Sequence, residues 1–204
     1  MLQANGLVWL EGPSDRLYFR RWVEIWSAGR LIEGIHYQCL FYGGRLLKHI
    51  SCDEPVCDPT RVQVLTINRN AMIMLDSDLR SEERVLPETK SRIVAEFGRL
   101  DGIAWVTAGK EIENYLPEPV LSQVVGVTVP AVSATDTVWE VLNQVRQGLG
   151  EKYKRAKMEL AEAVVPHLTR DLLESRLDLA QALPRVCDQI ARWNGMAAIS
   201  PADL

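Results

Sequence analysis

The sequence predicts an α/β fold in which a mostly parallel sheet is flanked by helices. Two observations predict it: short apolar segments alternate with helical patterns, and glycines or prolines stand at the junctions. Parallel strands have such continuous apolar runs because helices cover both faces of their sheet. The candidate strands are residues 7–10, 35–41, 71–75 and 103–107.

Helical patterns connect these strands. Residues 15–28 follow the first strand, and Phe19, Trp22 and Trp26 supply part of their apolar stripe. Residues 88–100 precede the last strand and have a similar pattern. The tryptophans at 9, 22, 26 and 105 are predicted to belong to the core. Between residues 41 and 71 the pattern is weaker: we expect a helical turn at 45–50, a loop at 51–60, and a short strand or helix end at 61–66.

The C-terminal part of the chain has a different sequence pattern. Pro117, Pro119 and Pro130 interrupt the pattern, and helical segments follow. The predicted helices are residues 137–149, 151–165, 169–180 and 184–192. The chain has 204 residues, which suits one domain or a core with a smaller lobe. We therefore expect an α/β core at 1–118 and a mostly helical region at 119–204 that packs on it or completes it.

Composition limits the classes of function. The net charge of −4 argues against nucleic-acid binding through bulk charge alone, but carboxylates that hold metal ions also count as negative here. No apolar run approaches the roughly 20 residues of a membrane-spanning helix, and no signal peptide is visible. We expect a cytoplasmic protein with no membrane partner. The four cysteines and three histidines do not match a zinc-site spacing, so we expect reduced thiols and no zinc.

Acidic residues follow three of the apolar segments. Glu11 and Asp15 follow residues 7–10, and the glycine between them permits a tight turn into a helix. Asp15 alone is explained by helix capping, but Glu11 is not, because it comes directly after four apolar residues. The second cluster, Asp76 and Asp78, follows residues 71–75. Strand alternation would send these two side chains to the same side, where two carboxylates repel each other unless they share a cation.

The third acidic cluster is Glu111 and Glu113, which follow the candidate strand 103–107. An exposed loop or an acidic turn could explain each cluster taken singly. Three clusters at the ends of three sheet strands favour a common site, because parallel strands end at the same edge of a sheet. Hard oxygen ligands of this kind favour Mg²⁺ or Mn²⁺.

Basic residues provide candidate phosphate contacts. Lys154 and Lys157 lie three apart in a basic run and would share one face of a helix, although a solvated helix surface would look the same. Gly43-Gly44 could form a turn that presents Arg45 and Lys48, or simply end a strand. This pair is not a Walker A loop, so we expect no nucleotide bound by this chain. Arg80 and Lys110, beside the acidic clusters, complete the candidate DNA contacts.

These motifs resemble the Toprim (topoisomerase–primase) fold, which is marked by a Glu after its first strand and a DxD after a later strand. Glu11-Gly12 and Asp76-Ser77-Asp78 match that pattern. The stretches VWLEGPSDRLYFRRW, MLDSDLR and GKEIENYL resemble, more closely, the C-terminal nuclease region of the OLD (overcoming lysogenization defect) family. The resemblance is dense over residues 7–115 and weaker over the helical end.

The resemblance implies a DNA nuclease that uses two Mg²⁺ or Mn²⁺ ions. It implies one ion site around Glu11, Asp76 and Asp78, with Glu11 also contributing to catalysis. A second ion would be held by Asp15 with Glu111 and Glu113. Lys157, with Lys154 as the alternative, would stabilise charge at the phosphate. The order in which the acids serve the two ions stays open.

The family also implies a partner, because its Toprim region follows an ABC-type ATPase domain on the same full-length polypeptide. This sequence has no Walker A motif and no ABC signature, so we expect an excised C-terminal region, with a possible homodimer in the full-length form. The alternatives are a non-catalytic, metal-stabilised DNA-binding or regulatory module, and a primase or topoisomerase of Toprim type. A phosphatase or phosphotransferase with a DxD site would leave the Glu11–Asp15 cluster without a role.

Overall fold

A computed structural model describes residues 4–51, 62–63, 68–79, 85–99 and 102–199. Four strands form an all-parallel sheet, which confirms the predicted α/β class with helices against a parallel sheet. The sheet strands are β1 (Leu7–Leu10), β2 (Gln38–Phe41), β5 (Ala71–Leu75) and β6 (Ile103–Val106). Within the sheet, β1 pairs with both β2 and β5, and β5 pairs with β6. A separate parallel pair consists of β3 (Ile50–Ser51) and β4 (Val62–Gln63).

In the strand order β2-β1-β5-β6, the direction in which the chain adds strands to the sheet reverses between β1 and β5. From β1 the chain crosses to β2 on one side, and it later returns to β5 on the other side of β1. The two crossovers leave a crevice beyond the carboxyl ends of β1 and β5, which is where open α/β sheets bind ligands. Glu11 and Asp76 directly follow these two strands.

Side-chain alternation along the strands divides the core between the two faces of the sheet. On one face, Leu10, Met74 and Trp105 pack against the helix that follows β1 and against the C-terminal helices. On the other face, Ile73 and Leu75 pack in a smaller cluster with a helix at 88–99. The prediction that the tryptophans at 9, 22, 26 and 105 are core residues is confirmed, since each is at most 7% exposed.

The helices cover both faces of the sheet. The first is α1 (Pro13–Trp26), which begins two residues before the predicted start, because proline suits the first turn of a helix. The others in the described part are α2 (Gly43–Leu46), α3 (Glu88–Arg99), α4 (Glu118–Val125), α5 (Val138–Val145), α6 (Leu149–Arg155), α7 (Lys157–Val164), α8 (Arg170–Glu174) and α9 (Leu179–Trp193).

The structure corrects several predicted boundaries. The prediction of a single helix over 151–165 is wrong, because the backbone at Ala156 leaves the helical region (φ −118°, ψ 46°) and separates α6 from α7. Helix α9 begins at Leu179, five residues before the predicted start at residue 184, and Pro184 lies within its second turn. Of the uncertain segment 61–66, the described residues 62–63 form β4. The predicted loop at 51–60 is wrong at its first residue, since Ser51 belongs to β3, and its other residues lie outside the described ones.

The C-terminal helices share one core with the sheet. Leu160 of α7 and Ile190 of α9 belong to the same buried cluster as Val8 and Leu10 of β1. The predicted division at residue 118 stays a prediction. In the described part of the chain, no helix is both long enough and apolar enough to cross a membrane.

Candidate functional site

An open cleft of about 780 Å³ lies beyond the carboxyl ends of β1 and β5. Segments that are far apart in the sequence line it: the turn after β1, the turn after β5, the loop after β6, and the junction between α6 and α7. Most of the residues that the sequence singled out meet there. Its lining includes Glu11, Asp15, Asp76, Asp78, Lys110, Glu111, Lys154 and Lys157.

The first acidic pair is placed by the start of α1. Asp15 is the third residue of the helix, and its carboxylate accepts hydrogen bonds from the Gly12 N–H (3.0 Å) and the Ser14 hydroxyl (3.2 Å). Asp15 thus helps cap the helix and lines the cleft as well. Glu11 lies against the glycine turn after β2, where a Cβ on Gly44 would approach Glu11 Oε1 to 3.1 Å. Gly44 therefore leaves room for the Glu11 carboxylate.

The second acidic pair follows the end of β5, but not in the predicted extended arrangement. Asp78 has a left-handed backbone (φ +54°), so strand alternation does not apply to it. Ser77 between the two acids is buried, and its hydroxyl donates to the Gly109 carbonyl (2.7 Å). The Asp78 N–H donates to the Lys110 carbonyl (3.0 Å). These bonds tie the Asp76–Asp78 turn to the loop that carries the third acidic cluster.

The carboxyl group of Asp76 has a strongly perturbed pKa. Loss of solvent raises its pKa well above the ordinary value, and the negative charges of Glu113, Asp15 and Glu11 raise it further. These neighbours come from two other segments, so the three acidic clusters act on one another as a single electrostatic unit. Carboxyl groups with strongly raised pKa values are typical of functional sites.

The third acidic pair is held by a short 3₁₀ helix, Ile112–Tyr115. Glu113 is 1% exposed, and the charged group that reaches its carboxylate is the ammonium of Lys157. Burial raises its pKa to about 7, against the opposing effect of Lys157, and Glu111 and Asp15 raise it as well. A buried, ionised carboxylate is costly unless a cation neutralises it.

Lys157, the first residue of α7, supplies part of that neutralisation. Its Nζ lies 3.0 Å from Glu113 Oε1 and 3.7 Å from Glu111 Oε2, and 5.1 Å from the centre of the Trp139 ring. Burial by itself would lower the pKa of Lys157, but Glu113, Glu111 and Asp76 raise it above the ordinary value. Lys157 is therefore a fixed positive charge at the edge of the cleft.

The other predicted basic residues differ in their placement. Lys154, in the last turn of α6, is exposed and lines the cleft, although it does not share one continuous helix with Lys157 as predicted. Lys110 is half-buried and also lines the cleft. The side chains of Arg45 and Lys48 and the whole of Arg80 lie outside the described residues.

Sequence reasoning missed Lys90, in the first turn of α3. This lysine is 8% exposed, and its Nζ donates to the Asp76 carbonyl oxygen (2.6 Å) and to Asp78 Oδ2. In the sequence, ETKSR resembles any solvated helix start. The only available signal was indirect: a lysine in the first turn of a helix opposes the helix dipole and therefore needs a reason to be there.

A second group that the sequence analysis missed supports the loop after β6. The Tyr115 hydroxyl accepts from the Ala108 N–H (2.8 Å) and donates to Asp178 Oδ1 (2.5 Å). The Trp105 indole N–H donates to the other Asp178 oxygen (3.2 Å). Asp178 immediately precedes α9, so the C-terminal helices fix the position of the loop that carries Glu111 and Glu113.

The chemistry of this cleft suits divalent ions with a preference for oxygen ligands. Glu113 supplies two buried oxygens and Glu111 one, and of these three oxygens Glu113 Oε1 contacts Lys157 Nζ (3.0 Å). In the described ranges, no three acidic, histidine or cysteine side chains are arranged so that they could already hold an ion together. Carboxylates without an ion between them repel one another, and Lys90 and Lys157 contact Asp78 and Glu113 instead.

The residues that could hold ions are Glu11, Asp15, Asp76, Asp78, Glu111 and Glu113. All six are carboxylates, and they border or lie behind one cleft.

Comparison of the chain with protein-family models, curated proteins and solved structures found no match.

Proposed function

We propose that this protein is a metal-dependent DNA nuclease with a Toprim-type fold. The observation that carries the proposal is the convergence of three acidic clusters and Lys157 on one cleft at the carboxyl ends of β1 and β5. Phosphodiester hydrolysis requires stabilisation of negative charge at the phosphate and activation of a water molecule. Carboxylates that bind two Mg²⁺ or Mn²⁺ ions, together with a fixed lysine, are suited to both tasks.

Three acids are assigned to each ion. Glu11, Asp76 and Asp78 stand where β1 and β5 end, and they would hold one ion. Glu111 and Glu113, which contact Lys157, would hold the second together with Asp15, on which the charge of Lys157 also acts. When bound, the ions would act as Lewis acids on the phosphate and would lower the pKa of a bound water.

Charge balance supports two ions. Six carboxylates, less the ammonium groups of Lys90 and Lys157 that contact them, leave four negative charges. Two divalent ions neutralise four charges. With the ions absent, the same excess of negative charge contributes to the raised pKa values of Asp76 and Glu113.

The basic residues take roles that follow from their exposure. Lys157 is held against Glu113 with 37% of its side chain exposed, so its ammonium group can contact a phosphate in the cleft without losing its anchor. Lys154 and Lys110 line the same cleft and would contact neighbouring phosphates. The proposal includes an ABC-type ATPase domain on the same full-length polypeptide, as the sequence resemblance implies.

The experiment is cleavage of supercoiled plasmid by the purified protein with Mg²⁺, Mn²⁺ or EDTA. We expect nicked and linear products only with a divalent ion. Asp78→Ala should lower the rate by about 10³-fold or more, because loss of a metal ligand removes several kcal/mol of transition-state stabilisation. Asp171→Ala changes an exposed aspartate of α8 outside the cleft and is the matched control. Metal-independent cleavage, or full activity of Asp78→Ala, would contradict the proposal.

One observation favours a second candidate, a non-catalytic module that binds DNA or regulates an ATPase. Lys90 and Lys157 already pair with Asp78 and Glu113, so the acidic cleft has internal counter-ions. Such a module would leave plasmid DNA intact with Mg²⁺, Mn²⁺ or EDTA. The proposed nuclease cleaves the plasmid when a divalent ion is present, so the plasmid assay separates the two candidates, and a gel-shift assay shows whether an inactive protein still binds DNA.

A further inference from the structure

Asp78 combines a fixed backbone with an exposed side chain. Its left-handed backbone (φ +54°) is unfavourable for a residue with a side chain and persists only where the surroundings impose it. Here the Asp78 N–H donates to the Lys110 carbonyl (3.0 Å), and the neighbouring Leu79 N–H donates to the Ser77 hydroxyl (3.3 Å). The side chain of Asp78, in contrast, is 59% exposed. Without a further contact, the carboxylate would be free to rotate in solvent.

Lys90 provides that contact from a buried position. Its side chain is 11% exposed and comes from α3, on the sheet face that packs through Ile93 and Phe97. Its Nζ donates to the backbone carbonyl of Asp76 (2.6 Å), an acceptor that cannot move independently of β5, and to Asp78 Oδ2. A buried lysine with one acceptor in the backbone has little freedom, so its position fixes that of the carboxylate it holds.

The contact engages one oxygen of the carboxylate. With Oδ2 held by Lys90, no hydrogen bond of the described residues is assigned to Oδ1. A ligand carboxylate that is hydrogen-bonded through one oxygen is oriented to offer the other, as is usual for the groups that surround metal ligands.

We propose that Lys90 is a positioning residue that orients Asp78 to bind a divalent ion. This role rests on the proposed function, because it assumes that Asp78 is a metal ligand. Two effects of Lys90 oppose each other: its positive charge repels an ion, and its hydrogen bond orients the ligand. Orientation dominates because the six candidate ligand carboxylates outnumber Lys90 and Lys157, the lysines that contact them, whereas the exposed Asp78 side chain depends on Lys90 for its orientation.

The test is calorimetric titration of Mn²⁺ into the metal-free wild type, Lys90→Met and Lys90→Gln. We expect both variants to bind Mn²⁺ about 10–100-fold more weakly, the usual effect of losing a group that orients a metal ligand. Lys90→Arg, which keeps a charged donor, should recover part of the affinity. Lys152→Met makes the same change at an exposed lysine outside the cleft and should bind like the wild type.

The outcomes separate this role from the proposed function. Wild-type affinity in both Lys90→Met and Lys90→Gln would overturn the role of Lys90 alone, and tighter binding would show that Lys90 competes with the ion instead. A wild type that binds no Mn²⁺ would overturn the proposed function and this role together. Lys90→Gln keeps a donor for the Asp76 carbonyl, so it covers the case in which Lys90→Met does not fold. The far-ultraviolet circular dichroism of each variant without metal reports its fold.

Discussion

Two lysine–carboxylate pairs flank the same cleft, and burial is reversed between them. In the pair Lys90–Asp78, the lysine side chain is 11% exposed and the carboxylate 59%. In the pair Lys157–Glu113, the carboxylate side chain is 1% exposed and the lysine 37%. In each pair the buried partner is the anchor, and the exposed partner faces the cleft. The first pair thus presents an oxygen ligand and the second a positive charge.

The reversal follows from where each pair originates. Lys90 comes from α3, which covers one face of the sheet, and it reaches a turn at the end of β5. Glu113 belongs to a 3₁₀ helix buried under the C-terminal helices, and Lys157 starts one of those helices. The same chemical pair therefore serves two purposes, because the surrounding packing decides which member is immobile.

The largest effect that would sharpen this contrast is expected at Lys157. Lys157→Met should lower the rate of plasmid cleavage by about 10²–10³-fold, the usual effect of removing one charge stabiliser. It should change Mn²⁺ affinity less than Lys90→Met does, because the ammonium of Lys157 is shared between Glu113 and Glu111 and is not committed to a single ligand. Single-turnover cleavage at saturating Mn²⁺ measures the first effect. Equal losses of Mn²⁺ affinity in Lys157→Met and Lys90→Met would contradict the different roles of the two lysines.

A smaller effect is expected when the buried anchor loses its charge. Since burial raises the pKa of Glu113 from 4.5 to about 7, its ionisation costs the metal-free protein on the order of 3 kcal/mol at pH 8. Glu113→Gln should therefore stabilise the metal-free protein by about 2–3 kcal/mol at pH 8, and by little at pH 5, where Glu113 is protonated. Urea unfolding at both pH values measures the difference, with the exposed Glu162→Gln as the control. A destabilised Glu113→Gln at pH 8 would mean that the ion pair outweighs burial.

The smallest effect concerns pH and metal affinity. The folded protein holds more protons than the unfolded chain between the ordinary and the raised pKa of Glu113, so its metal-free stability falls as pH rises through that window. Ion binding requires the ionised carboxylate, so Mn²⁺ affinity should fall about tenfold from pH 8 to pH 6 for this group. Titrations in buffers of different ionisation enthalpy would also detect proton release on binding. An affinity independent of pH would exclude Glu113 as a ligand.

Much of this architecture was predictable from the sequence, because it depends on local patterns. Residues 7–10 and 71–75 are apolar runs bounded by turn residues, and the acids after them necessarily reach the same edge of a parallel sheet. Lys90 was not predictable, because its partner is set by how α3 packs and not by its neighbours in the chain. The left-handed backbone of Asp78 and the break at Ala156 likewise depend on tertiary contacts, which override local propensity.

The central strand pairing also has a kinetic consequence. β1 and β5 join residues 7–9 to residues 71–73, so the middle of the sheet cannot form until a long stretch of chain has closed into a loop. Non-local parallel pairing of this kind slows folding, because the entropy of loop closure is lost before the contacts compensate for it. The same closure brings like-charged carboxylates together. Folding of this protein should therefore accelerate with ionic strength, because salt screens the repulsion between these carboxylates.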